Sequence, residues 1–437
     1  MTIAKNATTA DQLFQRALKV MPGGNTRLTV FQAPHPPYAS RGQGCYLFDT
    51  EGHGSLDFIN NYTALIHGHA DPDMVNAVSE ALQNGIGFSM PTHLEVELAE
   101  LLTSRIPSME HMRFVNSGTE AVMLAVKAAR AFTGRAKIAK FEGSYHGSYD
   151  QVEISTATPP SSWTSEEPVP YAISKGTPQS LLENTVVLRM NNLELTERLL
   201  ERHRHELAAV IMDLAPARSG AIQAEPEFVR RIRELCNEYG IVLIFDEIIS
   251  FRAAYGGMQS LVGVKPDLTT IGKFIGGGFP CSAFGGRADI MAVFDPRAVQ
   301  VYHGGTFNAN PIAMIAGLVT MNKLTPEAYS RLNTFGERVR TRLAEMLSNA
   351  GIAHQVLGWG SVFLVHLHNR PLREFRDLTE TAEESRLRER VYRGLLKRGM
   401  YLAPQLFGVL STPMTELELD LMLGAWQETL EGIHEPA

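Results

Sequence analysis

PEFVRRIRELCNEYGIVLIFDE, residues 226–247, joins two hydrophobic patterns in one run. Val229, Ile232, Leu235, Cys236 and Tyr239 share one face of a helix with a 3.6-residue period. After Gly240 the pattern becomes IVLIF, apolar without alternation, as in a central strand covered on both faces. Working outward, AAVIMDL (208–214) reads as a strand before it, and LTTI (268–271) and SAFGG (282–286) as strands after it. RFVN (113–116) is another, and SGTEAVMLAVKAARAF (117–132) then opens a helix. Short apolar runs alternating with helical stretches predict an α/β fold, with a parallel sheet and helices on both faces.

A chain of 437 residues is long enough for one large domain and a smaller one. Its 44% apolar and 20% charged residues are those of a soluble globular protein. A net charge of -7 with interleaved signs argues against nucleic acid or an anionic membrane as partner. The N-terminal stretch MTIAKNATTADQLFQRALKVMPGG has no signal-peptide core, and no apolar run is long enough to span a bilayer. Cys45, Cys236 and Cys281 are scattered, with no metal-like spacing. They read as reduced residues in packed interiors, and the expected location is the cytoplasm.

From about residue 317, amphipathic helices frame strands such as SVFLVHLH (361–368), and TELE (415–418) offers a capping box for the last helix. The expected division is an N-terminal segment of the small domain (1–65), a large domain (66–316) and the rest of the small domain (317–437). The stretch 155–180 is long and without pattern, and reads as a flap near a site.

Open parallel sheets bind ligands at the carboxyl ends of their strands. Four strand ends here carry chemistry. After RFVN, Ser117, Gly118 and Thr119 stand at a helix N-terminus, where free N–H groups and the helix dipole favour a phosphate; Ser and Thr are also ordinary helix caps. After IVLIF comes Asp246, a carboxylate that needs a cationic partner if buried, or solvent if it lies in the following loop. After LTTI comes Lys273, between β-branched residues and glycines; in an apolar pocket such a lysine has a lowered pKa and forms Schiff bases. After KFEG (140–143) come Tyr145 and His146, an aromatic pair suited to a planar ligand. Phosphate cup, stacking ring, carboxylate and nucleophilic lysine are together the fittings for pyridoxal 5'-phosphate.

FVNSGTEA (114–121), KFEGSYHG (140–147), LIFDEII (243–249), TIGKFIGGG (270–278) and HGGTFNANP (303–311) jointly resemble the class III pyridoxal-phosphate aminotransferases of fold-type I, over nearly the whole chain. The resemblance implies a large, mostly parallel-sheet domain with a smaller α+β domain built from both termini. It implies Lys273 as the Schiff-base lysine and Asp246 as partner of the ring nitrogen. Ser117, Gly118 and Thr119 would hold the phosphate, Tyr145 and Ile248 would cover the ring's two faces, and His146 would complete the cofactor set. Thr306 would reach the phosphate of a neighbouring subunit in a homodimer. Asp213-Leu214-Ala215-Pro216 departs from the Glu-Pro-Val pattern of many relatives, which puts the inherited role of that loop in doubt.

Within the class, the chain is similar to β-amino-acid aminotransferases, β-phenylalanine enzymes among them, and to glutamate-1-semialdehyde aminomutase. Residues 21–52 look more like the first group. Arg41 matches an arginine that there grips a substrate carboxylate, and Arg27 is a second candidate. Gln405, in GMYLAPQLFGVLST (399–412), stands where some relatives use an arginine for a keto acid. The expected activity moves an amino group from a β-amino acid or related amine to a 2-keto acid. The alternatives are an aminomutase, an amino-acid racemase, or a protein that binds the cofactor without turnover.

Overall fold

The computed structural model describes residues 9–164 and 166–433. Its largest sheet has seven strands. From one edge to the other they are His111–Val115, Ser282–Gly286, Leu268–Ile271, Val242–Asp246, Leu207–Met212, Lys137–Phe141 and Thr185–Leu188. Pairing is parallel from Leu268–Ile271 through to Thr185–Leu188. Ser282–Gly286 instead runs antiparallel to both neighbours. Residues 272–281 are too few for a crossover helix, which a parallel return requires, so the chain turns back.

The helix Pro226–Tyr239 starts with proline at its first position and ends at Gly240, whose φ of 61° is the left-handed cap a glycine adopts at little cost. Phe228, Val229, Ile232, Leu235 and Cys236 are buried, and every residue of Val242–Asp246 is buried. The expected strand and helix therefore pack as the two periods require. All three cysteines are buried and unpaired.

Two smaller sheets join distant parts of the chain. Ala39–Gln43, Tyr46–Asp49 and Gly54–Asp57 form a meander, and Met400–Tyr401 adds to it in parallel beside Gly54–Asp57. Gln355–Leu357, Val362–His366 and Phe407–Val409 form the other. The last helix, Glu416–Glu431, carries the expected capping box of Thr415 and Glu418, and Glu418 also accepts from the Tyr46 hydroxyl at 3.0 Å. Arg252, 1% exposed, ties these parts to the large sheet. It donates to the Ser361 hydroxyl (3.1 Å), the Thr63 carbonyl (3.2 Å) and the Leu410 carbonyl (2.6 Å).

The stretch 155–180 is less irregular than its composition implied. It holds a short turn at Pro160–Ser162 and the start of a helix at Gln179–Glu183. Tyr171 and Ser155 bond to each other through backbone and hydroxyl, and the Trp163 ring meets Phe375 edge-on. Local periodicity is blind to such anchors because the partners are far apart in sequence.

Candidate active site

Asp246 ends the strand Val242–Asp246 and is only 4% exposed. A carboxylate so placed must be fully hydrogen-bonded. Its Oδ2 lies 2.6 Å from Nδ1 of His146, and its Oδ1 accepts from the Ile248 amide (3.1 Å) and the Thr270 hydroxyl (3.0 Å). Burial lowers the His146 pKa, so the ring is neutral near pH 7, and Nδ1 carries the proton because the carboxylate only accepts. Nε2 of His146 is buried without a partner among the described residues. Asp213 ends the adjacent strand region, and its Oδ1 accepts from the Ala215 amide at 3.0 Å. Burial, reinforced by the Asp246 charge, raises its carboxyl well above the usual range. Glu247 points the other way, into the amides of Met258 and Gln259.

Lys273 opens the short turn Lys273–Gly276 with φ 56°, a left-handed conformation unusual for a residue with a Cβ. The residue keeps a small accessible face, but its amine is largely desolvated. That desolvation is the main cause pushing its pKa down to about 8; the Asp246 carboxylate opposes the shift, and Arg252 and Arg218 add to it. The preceding Gly272 is required by close approach. A Cβ there would lie 2.3 Å from the Ser282 hydroxyl and 3.0 Å from Ile248. Gly118 faces Ile248 as well, at 3.2 Å from an added Cβ. Ile248 thus links the lysine turn to the helix N-terminus.

The helix Gly118–Thr133 is capped by Ser117. The Ser117 hydroxyl accepts from the Glu120 amide at 3.2 Å, and the Glu120 carboxylate accepts from the Asn116 and Ser117 amides at 2.6 and 3.1 Å. The cap function therefore already uses that hydroxyl. First-turn amides have no intrahelical acceptor, which leaves those of Gly118 and Thr119 for an anion. Thr119 Oγ1 accepts from the Ser148 amide at 3.1 Å and so fastens the Tyr145–Gly147 turn to the helix. Behind that turn, the fully buried Lys140 donates to the carbonyls of Ser144 (3.0 Å) and Ile154 (2.6 Å). Burial pushes its pKa down to about 7. Tyr145 is 39% exposed, with the Arg218 guanidinium over its ring.

The fold thus brings together Lys273, Asp246, His146, Ile248, Gly118 and Thr119. The other candidates have different surroundings. Thr306 is exposed, and its hydroxyl has no hydrogen bond among the described residues. Arg41 lies on the strand Ala39–Gln43, 3.6 Å over the Phe48 ring, and donates to Gln43 at 3.1 Å. Arg27 donates to Asn61 at 2.9 Å beside the Tyr62 ring. Gln405 is exposed in a turn. Three participants escaped the sequence reading: Thr270, Lys140 and Arg218. Arg218 follows the apolar stretch LAPA and Lys140 interrupts the apolar KIAKF, the one signal that could have exposed them.

The donor set suits pyridoxal phosphate: two free amides at a helix dipole for the phosphate, a buried carboxylate for a cationic ring nitrogen, an orphaned imidazole nitrogen, and a desolvated amine for an aldehyde. Residues 31–406 match the family described as aminotransferase class-III. The chain is 53% identical to a solved omega-transaminase from Sphaerobacter thermophilus, with a TM-score of 0.95 and 98% of each chain covered. It is 40% identical to a beta-phenylalanine transaminase of Variovorax paradoxus over 94% of this chain and 90% of that protein. It is 41% identical to a glutamate-1-semialdehyde 2,1-aminomutase of Desulforudis audaxviator (strain MP104C), covering 95% and 96%.

Proposed function

The chain belongs to the class III aminotransferases and uses pyridoxal phosphate, and from that premise we propose that it carries an amino group from a β-amino acid or related amine to a 2-keto acid. The observation carrying the chemistry is a desolvated Lys273 amine beside a buried, hydrogen-bonded Asp246. Likeness to the β-phenylalanine transaminase supports the substrate class.

When bound, pyridoxal phosphate supplies an aldehyde and a ring that accepts the electron pair released at the amine-bearing carbon. In our reading Lys273 holds the aldehyde through its amine. Once freed by the donor, that amine would take the proton from the donor carbon and deliver it to the carbon that entered as the aldehyde. Asp246 would keep the ring nitrogen protonated, and His146, Thr270 and the Ile248 amide hold its carboxylate still. Gly118 and Thr119 amides would take the phosphate, and Tyr145 and Ile248 would confine the ring. Ser117 contributes by shaping the helix end, and Thr306 serves a second subunit.

That last role needs a homodimer, which we propose. Ile86, Phe88, Met90 and Phe307 are exposed, and Asn310 donates to the Ile86 carbonyl at 2.7 Å, bringing the two stretches together beside Thr306. Apolar surface of this kind marks an interface. Light scattering on the full chain should report two copies; a monomer that is fully active would remove the role of Thr306.

Arg41 is our candidate grip for the donor carboxylate, with Arg27 as a second cation and Gln405 as a neutral neighbour of the acceptor. Arg41→Ala should then raise the apparent binding constant of a β-amino acid by roughly 30- to 150-fold, the equivalent of about 2–3 kcal/mol for a charge-assisted bidentate contact. A carboxylate-free amine should lose far less. Initial rates with both donors at fixed pyruvate decide it, and equal losses would make Arg41 structural. The 41% identity to an aminomutase favours one second reading, an intramolecular transfer. Turnover without any external acceptor would establish that reading instead.

A further inference from the structure

Arg218 lies in the short turn Ala217–Ser219, just beyond the carboxyl end of the strand Leu207–Met212 and the buried Asp213. Its backbone is held firmly. The Ser219 hydroxyl donates to the Gly143 carbonyl at 2.7 Å, and Gly220, with φ 75°, sits so close to Leu378 that a Cβ would lie 2.3 Å from that side chain. The Arg218 guanidinium lies 4.6 Å from the centroid of the Tyr145 ring. It is exposed, and it makes no hydrogen bond or ion pair among the described residues.

Two arginines act on the Lys273 amine, Arg252 and Arg218. Arg252 has committed each of its three guanidinium nitrogens, to Ser361, Thr63 and Leu410. Arg218 has not. A guanidinium held over an aromatic ring without hydrogen bonds keeps N–H groups free, and a guanidinium edge matches a carboxylate bidentately. The Arg218 charge also disfavours the protonated Lys273 amine, a cost that an incoming anion would offset.

We propose that Arg218 holds the α-carboxylate of the 2-keto acid acceptor, and of the amino acid it becomes. The assignment rests on the transaminase reading above. In a 2-keto acid the carboxylate is bonded directly to the reacting carbon, so its holder must stand near Lys273. In a β-amino acid another carbon intervenes, which leaves room for a separate donor-side cation such as Arg41. The neutral Gln405 cannot supply the charge.

The test uses the full chain loaded with pyridoxal phosphate and a saturating carboxylate-free amine. KM and kcat are measured for pyruvate and for propanal, which lacks the carboxylate, in wild type, Arg218→Ala and Arg218→Lys. The alanine variant should raise KM for pyruvate roughly 30- to 150-fold with kcat nearly kept, and propanal should change by less than about two-fold. Lysine should restore part of the loss, because it keeps the charge without the fork. The dissociation constant for pyridoxal phosphate, read by fluorescence quenching, should stay at the wild-type value. Equal losses for both acceptors, or weakened cofactor binding with an unchanged pyruvate KM, would overturn the assignment. So would an unaltered pyruvate KM in a wild-type background that transaminates normally, and that outcome leaves the transaminase reading intact. Wild-type protein that consumed no acceptor would overturn both.

Discussion

Lys273→Ala is expected to abolish transamination, with a fall of at least about 10⁴-fold, because one side chain is asked to be both nucleophile and proton carrier. The visible absorption of lysine-bound cofactor should vanish with it. The fold should survive. The Lys273 side chain makes no hydrogen bond among the described residues, and alanine meets the same left-handed backbone at φ 56° that lysine already tolerates. A thermal scan of the cofactor-free variant should therefore stay near wild type, which separates lost chemistry from lost structure. The pH dependence carries the same signature. Only the neutral amine attacks an aldehyde, so loading of cofactor-free wild type should rise through a midpoint at about 8, where an ordinary lysine would need a much higher pH. The stability sign follows from the same depressed pKa. The unfolded chain binds more protons at Lys273 between pH 8 and the ordinary lysine value, so folding stability contributed by this group rises with pH across that window. A Lys273→Ala protein retaining absorption and turnover would refute the assignment of the lysine, and a loading midpoint above 10 would refute its desolvation.

Asp246→Asn should be the second-largest effect. The amide can keep the contacts at Oδ1 with the Ile248 amide and the Thr270 hydroxyl, both donors. It cannot supply the negative charge, and its NH₂ faces Nδ1 of His146 at what was a 2.6 Å contact. The imidazole must switch tautomer and direct its proton to Nε2, which has no partner among the described residues. We expect turnover to fall by about 3 kcal/mol, roughly a hundred-fold, as when one partner is removed from a buried charged pair. Cofactor binding should change less, because in the proposed site the phosphate would be held by the Gly118 and Thr119 amides. Losing the carboxylate also removes the charge that supports the protonated form of Lys273, so the loading midpoint should move further down. Turnover equal to wild type would mean that another group faces the ring nitrogen.

Much of this molecule is readable from consecutive residues. The helix Pro226–Tyr239 and the strands Leu268–Ile271 and Ser282–Gly286 are where periodicity predicts them, because a face that must be buried imposes its spacing on neighbours in the chain. Lys273 and Asp246 were visible for the complementary reason: a charge at the end of an apolar strand is expensive, so it stands out. Other features depend on distances that no local pattern encodes. The antiparallel direction of Ser282–Gly286 follows from how far ten residues can reach, and the sheet formed by Gly54–Asp57 with Met400–Tyr401 from how the chain ends meet. His146 and Asp246 are 100 residues apart in sequence and 2.6 Å apart in space. The tertiary fold alone decided that Ser117 spends its hydroxyl on a helix cap and that every guanidinium nitrogen of Arg252 donates while Arg218 has no hydrogen bond among the described residues. Sequence records which groups a residue carries and how it sits on its own helix or strand; which partners those groups find is set by the crossovers that bring remote strand ends to one edge of the sheet.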